Sequence, residues 1–353
     1  IFADDQMMRY CIDVELALAR AQAQCGVIPA HAAESIAQAC SFDLLNWARL
    51  KSETELVGYP ILPLVHQLVE MCGEAGRFVH WGATTQDIMD SALILQIRSS
   101  IRLLEADLSA AREVLRALAR SHRQTLMAGR THLQQALPIT FGLKAAVWLG
   151  MLDRQQQRLQ ELKPRLLVGQ FAGAAGTLAS LGSLGLEVQA ALMRELGLGV
   201  AVTPWHVARD SLGEMVNWLG LLTAALGKIA VDVILMSSTE VAELAEPFVK
   251  GRGASSTMPQ KRNPISSELM LAAAKAVRQQ AGLMMDAMVQ DLERATGPWH
   301  AEWIAIPQSF MFSAGALHQA LIMLQGLQVD TLRMRGNLDL TQGLIMAEAV
   351  MMG

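Results

Sequence analysis

The sequence predicts an all-α protein, built on an elongated central five-helix bundle with a smaller helical domain before it. Three observations carry that prediction. Long stretches rich in Ala, Leu and Met run for many turns without a helix breaker. Apolar positions in them recur at helical spacing, and β-branched alternation never lasts beyond a few residues, so strand signals are scarce.

Of the 353 residues, 52% are hydrophobic and 18% charged, enough for a large core and a modestly charged surface. The net charge of −4 supplies neither a basic field for nucleic acid nor a polybasic membrane patch, so an anionic ligand must be met by locally placed cations.

Residues 1–90 predict shorter helices, broken at "GVIPAH", "GYPILPLV" and "CGEAGRFVHWGATT". They form the N-terminal helical domain. The central bundle follows over residues 91–335. Its first long helix is expected at 101–128, with Leu103, Leu104, Leu108, Ala111, Val114, Leu115 and Leu118 on one stripe and Glu105, Arg112 and Glu113 off it. Residues 140–165 repeat the style and end on a polar run, with Pro164 as a stop signal. Residues 210–246 hold no proline before Pro247, predicting a helix about 55 Å long at ~1.5 Å per residue. Residues 265–290 and 307–335 supply two more. The chain closes inside a helical pattern at "EAVMMG", so 336–353 reads as the start of a truncated C-terminal domain, and a start at Ile1 leaves room for a leader or first helix.

Apolar positions spread around much of these helices predict further burial between subunits. The 20 methionines suit gap-filling in such a core and call for no metal or haem. Met215–Met236 is apolar enough to suggest a membrane span, but Lys228 and Asp232 interrupt it and the pattern continues into "SSTEVAELAEP", so a long buried helix of a soluble protein is expected. Cys11, Cys25, Cys40 and Cys72 follow no CxxC spacing, which points to reduced, buried thiols in a cytoplasmic protein.

Polar stretches interrupt the bundle, and they carry the chemistry. "VHWGATTQD" puts His80, Thr84, Thr85 and Asp87 before a helix; the residues suit helix capping, and equally a carboxylate held at a helix N-terminus. "GRTHLQQALPITFG" crowds Arg130, Thr131, His132, Gln134 and Gln135 between two helices, as a polar connection with Pro138 opening the next helix or as a group that binds anions and moves protons. "GRGASSTMPQKRNP", residues 251–264, combines glycine bends, hydroxyls, Lys261 and stiffening prolines. It lacks the phosphate-loop spacing. "WHVARD" (205–210) and "ERATGPWHAEW" (293–303) are smaller clusters, open to ordinary helix-end packing.

Together these stretches resemble the fumarase/aspartase (argininosuccinate lyase) superfamily. "ASSTMPQKRNP" matches its signature G-S-S-x-M-P-x-K-x-N-P from Ser255 to Pro264, with Ala254 in place of glycine. "HWGATTQD" resembles its first region, H-x-G-x-T-S-x-D, with Thr85 where Ser is commoner; "GRTHLQQALPIT" resembles the second. Within the superfamily, "WHAEW" and "NLDLTQGLIMAEAVMM" resemble the branch of bacterial carboxymuconate cycloisomerases.

That resemblance implies a cofactor-free enzyme without metal, closing 3-carboxy-cis,cis-muconate to 4-carboxymuconolactone in the protocatechuate branch of aromatic catabolism. It implies a homotetramer whose active sites draw three motif regions from three subunits. Ser255 would exchange the proton at carbon, made competent by Lys261 and loop N–H groups. His132 falls where many family lyases place the acid for the leaving group, paired with a glutamate of the long central helix; Glu240, Glu243 and Glu246 are all candidates. Thr84, Thr85, Arg130, Gln134, Arg209, Asn263 and Met258 would bind the tricarboxylate, with His80 and His300 as further possibilities. "LERATG" departs from several relatives at Leu292, which bears on Glu293 and Arg294. Alternatives within the family are a cycloisomerase for another muconate, such as a sulfonated one, and an argininosuccinate or adenylosuccinate lyase. A non-catalytic helical scaffold is the alternative outside it.

Overall fold

The computed structural model describes every residue except 248, 250, 254, 255 and 259. Four helices open the chain: α1 (Asp4–Gln24), α2 (Ala30–Ala39), α3 (Trp47–Val57) and α4 (Ile61–Cys72). Asp4 and Asp5 in the first turn of α1 suit the positive end of its dipole. The Asn46 side chain accepts from Arg49 N–H at 3.0 Å and caps α3.

The five expected long helices are present: α5 (Thr85–Ser121), α6 (Phe141–Leu166), α8 (Asp210–Met236), α9 (Ile265–Ala287) and α10 (Pro298–Gln325), with α7 (Gly185–Leu196) between the second and third. Two short helices follow, α11 (Thr331–Leu338) and α12 (Ala347–Met352). Of the stripe predicted in the first long helix, Leu104, Leu108, Ala111 and Leu115 are buried but Leu103 is 62% exposed. Successive helical residues point ~100° apart, so Leu103 and Leu104 cannot both face one core line.

Three of the long helices differ from expectation in their bounds; the third, expected at 307–335, ends at Gln325, and Thr331–Leu338 forms the separate helix α11. The 101–128 helix begins at Thr85 and stops at Ser121; the residues beyond form a hairpin of β1 (Leu126–Thr131) and β2 (Gln134–Thr140). Pro138 therefore pairs with Ala128 inside β2 and does not open α6. A two-stranded ribbon has only edges, so a residue without an N–H is tolerated there. Gly142 N–H donates to His122 O at 2.9 Å and Phe141 N–H to Thr125 O at 2.9 Å, so α6 starts beside the end of α5 and the hairpin is an excursion between them.

The 210–246 helix ends at Met236. There Ser237 Oγ donates to Val233 O at 2.6 Å and Ser238 Oγ to Leu235 O at 2.8 Å, side-chain bonds that compete with the ladder, and Met236 O accepts from Glu243 N–H at 2.8 Å as the chain turns off the helix. Glu240, Glu243 and Glu246 are thus off the helix. The chain instead enters β3 (Leu244–Ala245), which pairs antiparallel with β4 (Gln328–Val329). Finally, α10 starts nine residues before 307, with Pro298 at its first position, where the missing N–H costs nothing.

Packing groups the chain into two units. The first takes Ile1–Ile101, Leu162–Met215 and Met284–Trp303, and so contains all of residues 1–90. Its core holds Leu18, Ile36, Leu64, Leu68, Ile88, Phe171 and Leu192; burying each such side chain stabilises by ~1.5–3 kcal/mol. Cys40 and Cys72 lie 3.3 Å apart as free thiols, and burial raises the pKa of both.

The second unit takes Arg102–Glu161, Val216–Leu283 and Ile304–Gly353. Trp148 is fully buried in it, with Nε1–H donating to Asp232 Oδ2 at 2.7 Å. Asp232, read from sequence as an interruption of an apolar run, is the acceptor for that indole and for Lys228 at 2.6 Å. Helix α8 is long and apolar enough to cross a membrane by length and composition, and 56% of its most apolar window is buried.

Candidate active site

In the first unit, the 80–87 stretch is organised around Asp87. This fully buried carboxylate accepts from the N–H groups of Thr84 (3.1 Å), Ala172 (3.0 Å) and Gly173 (2.9 Å), and shares a hydrogen bond with His206 Nε2 (2.7 Å). Its bond back to Thr84 caps α5, whose first turn also gains from the negative charge. The capping role expected of this stretch therefore belongs to Asp87. Thr84 and Thr85 are half-buried at the start of α5, and among the described residues neither hydroxyl has a hydrogen-bond partner. Two unengaged hydroxyls at a helix N-terminus suit a carboxylate ligand. Gln86 donates to His206 O at 2.8 Å and accepts from Arg294 at 3.1 Å, drawing the 205–210 and 291–297 segments to the same place.

Arg209 does not stand free to bind substrate. Its side chain has no exposure, and all five N–H donors are spent inside the protein. Nε and Nη2 donate to Glu302 at 2.8 and 2.5 Å, Nη1 and Nη2 to Asp90 at 2.7 and 2.9 Å, and Nη1 also to Trp205 O at 3.4 Å. Burial opposes its charge, but the two carboxylates more than offset that and hold its pKa above the ordinary value. Glu302 is the acid of "WHAEW". In the same motif, Trp299 stacks on Tyr59 at 5.8 Å, and His300 lies 4.6 Å from Trp303. The clusters at 205–210 and 293–303 thus serve largely to pack helix ends.

In the second unit, His132 and Leu133 are the two turn residues of the hairpin, with φ of 49° and 63°. Two positive values are the mark of a type I′ turn, usually made by Asn-Gly, so a His-Leu pair stores strain there. Both side chains are exposed, as is Gln134 at the first position of β2. The register shifts after Gly129, so Arg130 faces Gln135 and Ala136 is the extra residue of a bulge.

Arg130 is not free for a ligand carboxylate either. Nη1 and Nη2 donate to the two oxygens of the fully buried Glu243 at 2.9 and 2.6 Å. Glu243 also accepts from Asn337 Nδ2 at 2.8 Å, and Gln135 Nε2 donates to Asn337 O at 2.9 Å. Of the three glutamates considered as partners of His132, Glu243 thus holds Arg130. Glu246 caps α9, accepting from Ser266 N–H (3.0 Å), Ser267 N–H (2.8 Å) and Ser267 Oγ (2.7 Å), and Glu240 is exposed.

Ser255, the residue assigned the proton, lies outside the described residues. Contacts of the described residues frame its loop. Asn263 N–H donates to Gly253 O at 3.1 Å, and a Cβ on Gly253 (φ 65°) would fall 2.6 Å from Asn263 O, so only glycine fits this neck. Arg252 donates to Ser266 Oγ at 2.6 Å and to Gln319, which anchors the loop to α9 and α10. Lys261 is exposed, its N–H donating to Met258 O at 3.1 Å, and Met258 is 43% exposed. A cavity of about 100 Å³ at the loop's foot is lined by Glu246, Arg252, Arg262 and Asn263, among others. Among the described residues, no hydrogen bond or ion pair joins His132 to Lys261 or Asn263.

A family model described as "Lyase" matches residues 1–278. The chain belongs to the fumarase/aspartase superfamily. It is 49% identical over 354 residues to a 3-carboxy-cis,cis-muconate cycloisomerase of Pseudomonas aeruginosa, covering 99% of this chain and 77% of the relative. It is 47% identical to trans-aconitate decarboxylase 1 of Mycosarcoma maydis, covering 100% of this chain and 72% of that protein. The crystal structure of a 3-carboxy-cis,cis-muconate lactonizing enzyme from Pseudomonas putida superposes with a TM-score of 0.95 at 45% identity, covering 99% of this chain and 79% of that one. Membership of the superfamily makes the chain an enzyme.

Several residues that shape the site were not singled out from sequence: Glu15, Gln22, Asp90 and Asn337. The signal was present for the first three. Each is a polar residue inside an apolar helical run, and such a residue is buried only with a partner.

Proposed function

We propose that this enzyme is a cofactor-free cycloisomerase that closes 3-carboxy-cis,cis-muconate to 4-carboxymuconolactone, within the protocatechuate branch of aromatic catabolism. A carboxylate oxygen adds to one end of the conjugated diene, and a proton is delivered to the carbon beside a second carboxylate. Nothing is lost, so substrate and product are isomers. The 49% identity to the Pseudomonas aeruginosa cycloisomerase, over 99% of this chain and 77% of that protein, is the observation that supports this best.

The intermediate is an aci-carboxylate with two negative charges, which placed donors must stabilise. In this reading Ser255 exchanges the proton and Lys261 stabilises its alkoxide. Asn263, Met258, Gln134, Thr84 and Thr85 contact the tricarboxylate, and His132 stands at the exposed hairpin tip. Sites assembled from three subunits of a homotetramer fit the half-exposed Leu221, Val231 and Leu269 of α8 and α9.

One observation favours a second reading. The decarboxylase relative is nearly as similar, and trans-aconitate is also an unsaturated tricarboxylate. Ultraviolet absorbance separates the two: cycloisomerisation bleaches the diene of 3-carboxymuconate, whereas decarboxylation of trans-aconitate releases carbon dioxide. An unchanged diene at micromolar enzyme would refute the proposal. Ser255→Ala should lose most turnover at unchanged assembly state.

A further inference from the structure

We propose that Glu15 of α1, outside all three motif stretches, is a positioning residue of the active site: it holds the His80 imidazole through Nδ1, leaving Nε2–H for a carboxylate of the bound substrate. The inference rests on the tricarboxylate reading above.

Glu15 and Gln22 are the two polar residues on the buried face of α1, at 3% and 0% exposure. They are seven residues apart, two turns along one face. Both reach the same bend: Glu15 Oε1 lies 2.6 Å from His80 Nδ1, and Gln22 Nε2 donates to Trp81 O at 2.6 Å. The bend then closes through Ala83 N–H to His80 O at 3.2 Å and delivers the chain to Thr84 and Thr85.

Two features mark this pair as more than packing. His80 has φ 60°, a left-handed conformation that costs a non-glycine residue about 1–2 kcal/mol and persists only where the surroundings impose it. The second oxygen of Glu15, Oε2, is buried with no hydrogen-bond partner, an arrangement that stability alone disfavours. The Glu15 side chain is 1% exposed and that of His80 20%, so the imidazole is the accessible end of the pair. Nε2 has no partner among the described residues.

The charges around the ring favour imidazolium. Burial opposes it, but Glu15 from α1 and Asp87 from α5 prevail and raise the His80 pKa. The other groups that feel Glu15, the Cys11 and Cys40 thiols, are raised by burial first and by Glu15 in addition, so they remain neutral. Arg294, which reaches the same stretch, donates to Gln86 Oε1 and Ala174 O.

Histidine-labelled enzyme, with the His80 resonance assigned through His80→Gln, tests this by NMR titration. Wild-type His80 should titrate above the free imidazole value, and Glu15→Gln should lower it. Propane-1,2,3-tricarboxylate, which has no diene to close, should raise it in wild type. In kinetics, Glu15→Gln should move the alkaline limb of kcat/KM to lower pH through KM, with kcat near wild type in acid. A wild-type pH profile in Glu15→Gln, or tricarboxylate binding that leaves His80 unmoved, overturns the proposal. Should Glu15→Gln fail to fold, Glu15→Asp, which draws the carboxylate back from Nδ1 by one methylene, takes its place with the same expected direction of change, and a wild-type pH profile in it overturns the proposal. A His80 response without muconate turnover would sink the substrate assignment and leave the positioning role standing.

Discussion

Arg209→Met should cost about 3–5 kcal/mol of stability near neutral pH, while KM stays within about threefold of wild type. The magnitude follows from what Arg209 neutralises. Its guanidinium is fully buried and bonded by both oxygens of Asp90 and both of Glu302. Methionine approximates the volume of the stem but leaves two buried carboxylates without a cation, which is the expensive way to break a buried ion pair. Burial already raises the Glu302 pKa, and without Arg209 it must rise further. The sign of the pH dependence follows. A carboxyl whose folded pKa exceeds its unfolded value favours the fold below the unfolded pKa and loses that contribution as pH rises through the folded one. The deficit of the variant should therefore shrink as pH falls from neutrality towards the ordinary carboxylate range, as measured by urea denaturation. Adding Glu302→Gln should recover part of it, because one buried charge then disappears. A loss below about 1 kcal/mol that does not vary with pH, accompanied by a large rise in KM, would show that Arg209 contacts substrate and refute its placement as a packing cation.

Two further outcomes follow from the second unit. Glu243→Gln should cost about 3 kcal/mol, at the low end for a broken buried pair because Arg130 keeps some solvent contact. Hydrogen exchange should quicken in the hairpin amides and not in α5; equal protection in both would count against Glu243 as the hairpin's anchor. Gly253→Ala places a Cβ 2.6 Å from Asn263 O at φ 65°, so the loop neck must open. Turnover should fall at least tenfold for about 1–2 kcal/mol of lost stability, and wild-type activity in this variant would show the neck to be unimportant.

Much of the fold was legible because periodicity is a local signal. The five long helices appear near their expected places, and the polar stretches between them are where the sequence put them. The hairpin was not legible. Its strands carry little alternation, with Met127 and Ala128 both buried, and its turn is His-Leu, where a type I′ turn usually shows Asn-Gly. The end of α8 was not legible because no proline or glycine marks it: the chain leaves the helix to pair Leu244–Ala245 with Gln328–Val329, a partner more than 80 residues away that helical spacing does not show.

For the candidate site, the chemistry on offer is written in the order of residues: the string from Ser255 to Pro264, the hydroxyls at 84–85 and the imidazole at 132. Residue type and order along the chain suffice for that. Which charged groups are already spent is set by the three-dimensional packing. Arg130 and Arg209 look alike in sequence to any carboxylate-binding arginine, yet the partners that occupy them, Glu243, Asp90 and Glu302, come from 93 to 119 residues away. Whether a guanidinium meets a substrate or a buried glutamate depends on long-range packing, and a spacing rule carries no information about it.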